Sequence, residues 1–214
     1  MAANTSSPTA QPALYEWANR YRQPISFLVA FCCLAALLTT EHSWPRISVI
    51  DVLVETFGFL LIGIAAFGRT WCSLYISGYK ADRIVCEGPY SIVRNPLYVF
   101  SFIGAMGIGL ASENLLVLAL LLSAFLLYYP LVVFAEEGHL QAKFGQPYIE
   151  YTHNVPRFVP RHLRPVEPDI YPVRPRHFRK ALPDVLWFFW FFMILQLVER
   201  MHQAGWLPVW FRIP

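Results

Sequence analysis

Residues 96–135, PLYVFSFIGAMGIGLASENLLVLALLLSAFLLYYPLVVFA, decide the fold. Two apolar runs, Pro96 to Ala111 and Leu115 to Ala135, are separated only by Ser112-Glu113-Asn114, a connection so short that the two must form an antiparallel helical hairpin. A bilayer core about 30 Å thick asks for about 20 helical residues, and a helix satisfies its own backbone polar groups on the way through. The first run is short by that measure, since about 16 residues rise only about 24 Å. Its start at Pro96 is therefore expected to lie recessed below the membrane surface and to open a polar notch there.

Outward from the hairpin lie three more apolar runs, Pro24 to Leu38, Ile47 to Phe67 and Leu182 to Val198. The whole chain is 56% hydrophobic and 14% charged, with a mean hydropathy of +0.42, whereas a soluble domain carries about 25% charged residues. These values exclude a disordered chain, a disulfide mini-protein and an ordinary soluble enzyme. The expected fold is an all-α polytopic membrane helical bundle of about five transmembrane helices. Residues 1–22 read as a disordered amino-terminal segment, 23–153 as the membrane core, 154–181 as an Arg- and Pro-rich linker, and 182–214 as an additional span with an interfacial tail.

Fourteen of the seventeen Lys and Arg residues fall in the amino terminus, the 69–95 loop and the 136–181 segment; only Arg46, Arg200 and Arg212 fall on the other side. Basic loops are retained in the cytoplasm, so those three segments are expected to share the cytoplasmic face, where the 69–95 loop and the 136–181 segment should meet. Trp206, Trp210 and Phe211 would anchor the opposite interface. A net charge of +3 gives nucleic-acid binding no general support. Cys32, Cys33, Cys72 and Cys86 show no metal-ligand spacing, so no metal site is expected.

Two blocks hold most of the polar information: DRIVCEGPYSIVRNPLY at 82–98 and EEGHLQAKFGQPYIEY at 136–151. In the first, Gly88-Pro89 signals a turn, Asn95 a helix N-cap and Pro96 a first helical residue. A helix start so built presents amides and partial positive charge suited to a carboxylate, and Arg94 adds a forked donor. In the second, Glu136 and Glu137 follow Pro130, which is expected to kink its helix. Neighbouring helical residues point about 100° apart, so only one of the two can face a pocket squarely. A carboxylate at the membrane edge needs a cation, either Lys143 or Arg94, or the ammonium of a ligand. Together the blocks make a seat for an amino-acid moiety.

GPYSIVRNPLY, followed about forty residues later by EEGHLQAKFGQPYIEYTHNVPRFVP, resembles the isoprenylcysteine carboxyl methyltransferases and the related phospholipid N-methyltransferases. These are integral membrane enzymes that use S-adenosylmethionine, and the resemblance covers roughly residues 70–160. It implies a cofactor pocket at the cytoplasmic face. Tyr90, Asn95, Pro96, Leu97 and Tyr98 would line it, Asp82, Arg83, Ile84 and Val85 would pass beside the adenosine, and Glu136 would bind the methionine amino group. Arg94, which would help the carboxylate or hold the loop, and Glu137 are the candidate catalytic residues. The family usually has His at the position of Asn95, and its carboxyl methyltransferases have Arg at that of Val132.

The resemblance implies a lipophilic or lipidated acceptor reaching the site from the membrane lipids, first a carboxylate as in isoprenylcysteine methylation, alternatively a phospholipid ethanolamine. For an amine acceptor a proton must leave, which makes His139, His153 or a carboxylate a candidate base. A sterol-type NADPH reductase and a non-enzymatic membrane scaffold are the readings from other classes.

Three further features carry expectations. Asp51 and Glu55 share one face of the second run, where Glu55 calls for a polar neighbour. Gly58, Gly63, Gly104, Gly107 and Gly109 are expected to permit close helix contact. The prolines of 155–183 forbid a long helix and suggest a membrane-facing tether, and the aromatic run Trp187 to Phe192 reads as a lipid- or subunit-facing surface.

Overall fold

The computed structural model describes residues 10–42, 49–80, 82–206 and 211–213. Arg46, Trp210 and residues 1–9 of the amino-terminal segment lie outside them. Among the described residues eight helices follow in order: α1 Ala10–Thr39, α2 Val49–Ile76, α3 Pro89–Ile92, α4 Pro96–Ala111, α5 Leu115–Leu127, α6 Tyr129–Phe144, α7 Gln146–Asn154 and α8 Pro175–Gln203. The only strands among the described residues, β1 Thr40–His42 and β2 Phe211–Ile213, form a parallel ribbon in which Thr40 faces Phe211. Four stretches are long and apolar enough to cross a membrane: Tyr15–Thr39, Val49–Ile76, Leu115–Phe144 and Pro175–His202. The fifth apolar helix, α4, has only 16 residues, as its sequence foretold.

The hairpin of α4 and α5 is set by Asn114. Its side-chain oxygen accepts the Leu116 and Val117 N–H groups at 3.0 and 3.2 Å, capping α5, while its amide donates to Thr40 Oγ1 at 2.6 Å. One residue thus closes a helix start and ties the hairpin to the end of α1. The long apolar stretch breaks at Tyr128, just before Pro130, separating α5 from α6. Proline has no N–H to donate, and Pro130 sits in the first turn of α6, where that costs nothing.

Helices α2 and α4 touch at backbone distance. A Cβ built on Gly58 would lie 2.7 Å from the Gly107 carbonyl oxygen, and one on Gly107 would lie 2.7 Å from that of Gly58. Gly104 gives room instead to the ring of Phe188 on α8, whereas Gly63 has nothing within 4 Å and plays no such part. The core between these helices holds Cys33, Ile62, Ile108, Val117, Phe188 and Phe191. Glu55 finds its polar neighbour in Gln196, whose amide donates to it at 2.5 Å.

Three expectations are corrected. Residues 10–22 are not disordered: α1 begins at Ala10 and runs through Pro24, and Ala18 is buried against Tyr128 and Val132. The linker ends at Arg174 rather than 181, because Pro175 takes the first position of α8, where a missing N–H costs nothing, and Pro183 is carried inside that helix. The aromatic run is not purely an outward surface. Trp187 and Trp190 are exposed, but Phe188 and Phe191 point into the core.

The Gly58–Gly107 contact yields a prediction. Gly107→Ala must push α2 and α4 apart and is expected to cost about 1–3 kcal/mol, read as a lower midpoint of thermal unfolding in detergent by tryptophan fluorescence. Gly63→Ala, in open space, should leave that midpoint unchanged or raise it slightly.

Candidate active site

The segments expected to share one face do meet. Their junction is Glu137, which is 8% exposed. Its Oε1 accepts from Asn95 Nδ2 at 2.8 Å, and its Oε2 accepts from Arg157 Nε and Nη2 at 3.0 and 2.7 Å. Arg94 Nε stands 3.3 Å from Oε1 as an ion pair. Arg94 also donates from Nη1 to the Thr152 carbonyl at 3.1 Å, and its main-chain N–H donates to Pro156 O at 2.8 Å. One carboxylate on α6 thereby fastens the start of α4, the end of α7 and the chain that follows.

That chain, residues 155–174, is not a loose tether but a strap laid over the 77–95 loop. Gly88 and Val166 form an antiparallel bridge, and the Val166 N–H donates to Ser91 Oγ at 2.8 Å. Tyr75 donates to Glu167 at 3.0 Å and Tyr79 to the Pro172 carbonyl at 2.9 Å. The Arg83 guanidinium lies 4.4 Å from the Tyr79 ring centroid and donates to Tyr171 Oη at 2.7 Å, and Arg174 meets Asp82 at 3.2 Å. Guanidinium groups over aromatic faces hold well even where water reaches them.

Between the helices is a cavity of about 820 Å³. Glu136 faces it while Glu137 does not, the 100° separation of neighbouring helical residues made visible. Glu136 accepts from Tyr98 Oη at 2.9 Å and pairs with Lys80 Nζ at 2.9 Å. The Tyr90 hydroxyl is buried on the same wall with no hydrogen-bond partner. His139 also lines the cavity and stacks on Tyr15, with ring centroids 4.0 Å apart and planes 4° from parallel.

The family model described as phospholipid methyltransferase matches residues 58–147, the span from the Gly58 contact through the hairpin to the end of the Glu136 helix. The nickel-cobalt-cadmium resistance protein NccN of Alcaligenes xylosoxydans xylosoxydans is 35% identical over 205 residues, covering 96% of this chain and 95% of that protein. The cobalt-zinc-cadmium resistance protein CzcN of Cupriavidus metallidurans is 35% identical over 193 residues, 90% of this chain and 88% of that one. The protein-S-isoprenylcysteine O-methyltransferase of Schizosaccharomyces pombe is 28% identical over 114 residues, 50% of this chain and 48% of that enzyme. The chain belongs to the phospholipid methyltransferase family. No solved structure matches it.

Within this family member, the structure brings Arg83, Ile84, Val85, Tyr90, Asn95, Pro96, Leu97, Tyr98 and Glu136 to one cavity wall, together with Arg94. Two expected site residues stand apart. Asp82 is not on the wall and pairs with Arg174. Glu137, expected beside the reacting groups, has both oxygens occupied and acts as a positioning residue. Asn95 occupies the N-cap position of α4, but its side chain makes no cap; the buried charge of Glu137 takes its amide instead. The start of α4 is also poorer in amides than expected, since Pro96 has none and those of Tyr98 and Val99 turn back to the Asn95 carbonyl. Val132 is buried in an apolar cluster with Ala18, Tyr128 and Ala135.

Sequence reasoning gave no site role to Lys80, the partner of Glu136, nor to Arg69, Tyr148 and Asp184, which also line the cavity. Lys80 and Tyr148 lay inside or beside the polar blocks, so the blocks were the available signal. Nothing in local sequence joins Arg69 to Asp184, 115 residues away.

Burial pushes the phenols of Tyr90, Tyr148 and Tyr151 above the ordinary value of 10, so all three are neutral hydrogen-bonding groups at physiological pH. Because their folded values exceed the unfolded one, the stability they carry is present below about pH 10 and is lost as pH rises beyond it. An unfolding midpoint that falls between pH 9.5 and 11, flattened by Tyr151→Phe, is the expected result.

The two glutamates separate experimentally. Glu137→Gln leaves Arg94 and Arg157 without their anion and is expected to cost about 3–5 kcal/mol. The 155–174 strap should then become open to proteolysis and rapid hydrogen exchange. Glu136→Gln should leave both readouts near the wild-type level.

Proposed function

We propose that this protein transfers a methyl group from S-adenosylmethionine to a lipophilic acceptor within the membrane, with the cofactor bound at the cytoplasmic face. Membership in a membrane methyltransferase family supports the reaction class. The observation that carries the site is the convergence on one wall of the Glu136 carboxylate, the unpartnered Tyr90 hydroxyl and the Arg94–Tyr98 segment.

The residues present fit such a cofactor. Glu136 has oxygens at the cavity edge for an α-ammonium group, which would compete with Lys80 for it. Tyr90 has a buried hydroxyl still to be satisfied, and a buried polar atom without a partner costs about 1–3 kcal/mol. Ile84 and Val85 offer an apolar edge for a flat base. When bound, S-adenosylmethionine supplies an electrophilic methyl on a sulfonium. The chain's own contribution is then to orient an acceptor lone pair and to exclude water, a task suited to the apolar walls of the cavity. A carboxylate acceptor needs no base; an amine acceptor would find His139 on the cavity wall to receive its proton.

Two relatives are named for resistance to nickel, cobalt, zinc or cadmium. Among the described residues no group of three or more His, Cys, Asp or Glu is placed to hold a metal ion. We propose that any such role of this chain runs through the methylated acceptor.

Calorimetry with S-adenosylhomocysteine on the protein in nanodiscs tests the reading. Saturable binding is expected, weakened at least tenfold by Glu136→Ala and about three- to tenfold by Tyr90→Phe. Unchanged affinity in a folded Glu136→Ala variant would sink the site assignment, and no binding by folded wild type would overturn the activity.

A further inference from the structure

The cavity extends from the polar end into the membrane-spanning part of the bundle, and one cation goes with it. Arg69 lies seven residues before the end of α2, about 10 Å deeper along that helix, and is part of the cavity wall. Every contact that holds it is neutral. It donates from Nη1 to Ser101 Oγ and from Nη2 to the main-chain oxygen of Asp184 at 3.3 Å, and it lies 5.6 Å from the Phe188 ring centroid. Its Nε is buried and has no hydrogen-bond partner. Among the described residues no carboxylate comes within ion-pair distance of it; the Asp184 side chain, exposed, acts on it only from farther off. The other cavity cations are differently placed: Lys80 has Glu136, Arg94 has Glu137, and Arg83 is in a part of the wall that meets solvent.

A guanidinium inside a membrane bundle faces the interior or a water-filled cavity and is costly until an anion joins it. Here α4 and α8 supply the polar contacts, but among the described residues no carboxylate pairs with the guanidinium, and Asp184 acts on it only from beyond ion-pair distance. Around it the wall is apolar, with Ala105, Ile108, Leu121 and Phe191, and it includes Phe27 of α1 and Trp187 of α8, both exposed on the outside of the bundle. A chain entering between α1 and α8 would lie along that wall with its head at Arg69.

We propose that the inner arm of the cavity is an anion seat built on Arg69, which receives the negatively charged head of a single-chain amphiphile drawn from the bilayer. Under the methyl-transfer reading above, on which its biological meaning rests, the seat selects the acceptor: an anionic group is held and an uncharged one is not. The shared chemistry is an anion on a long apolar chain, either a carboxylate or a phosphodiester.

The test uses the full-length protein in phosphatidylcholine nanodiscs with two photoreactive probes, a diazirine-bearing palmitic acid and the corresponding palmitamide. The acid is expected to label peptides of α4 or α8 at least tenfold more than the amide, as befits a charge-assisted hydrogen bond. Arg69→Gln should abolish that preference, and Arg69→Lys, which keeps the charge but loses the fork, should reduce it several-fold. Excess unlabelled palmitate or 1-oleoyl-lysophosphatidylglycerol, whichever displaces the probe, assigns the head as carboxylate or phosphodiester.

Equal labelling of wild type by acid and amide overturns the proposal, as does a preference that survives in Arg69→Gln. If Arg69→Gln fails to assemble, the wild-type acid-to-amide ratio and Arg69→Lys still decide. S-adenosylhomocysteine binding is measured on the same wild-type preparation. Its absence in wild type with the acid preference intact would refute the methyl-transfer reading and leave the anion seat standing.

Discussion

A buried carboxylate must be paired, and much of the polar end of this protein follows from how Glu137 is paired. Its donors come from Asn95 and Arg94 at the start of α4 and from Arg157 in the strap. Removing one partner of a buried ion pair leaves a stranded charge, so the three segments are held as one unit. The same pairing decides what Glu136 does. With Glu137 turned into the protein, its neighbour is turned toward the cavity, where a ligand can reach it.

The second constraint is the length of α4. A helix of 16 residues cannot reach from face to face, and its start lies among polar segments that arrive from α2, α6 and the strap. Backbone contact between Gly58 and Gly107 keeps α4 close to α2 along its length. Gly104 admits Phe188 of α8 into the same layer. The additional helix is therefore part of the cavity and not an appendage to it, and it brings the Asp184 carbonyl to Arg69.

These features assign different tasks to groups of the same charge. Arg157 and Arg94 hold the frame, Arg83 and Arg174 pin the strap through tyrosine faces, and Lys80 covers Glu136. Arg69 alone among the cavity arginines is half-buried with a buried Nε and neutral hydrogen-bond partners. That division of labour supports a cavity with two chemically distinct ends, one suited to an amino-acid moiety and one to an anionic head on an apolar chain.

The sequence by itself determined the helical membrane class, the α4–α5 hairpin with its break near Pro130, the bounds of α4, and the two polar blocks that supply most of the cavity's polar wall. All of these depend on contacts within about one helical turn or on run length, which local composition encodes. Tertiary structure decided which glutamate faces the cavity, that Asn95 serves Glu137 instead of capping α4, that residues 155–174 form a strap, and that α8 lines the site. Each of these depends on partners far apart in the chain: Asn95 is 42 residues from Glu137, and Arg69 is 115 from Asp184. Buried charge takes whatever donor the packed helices bring to it, and only the packed chain shows which donor that is.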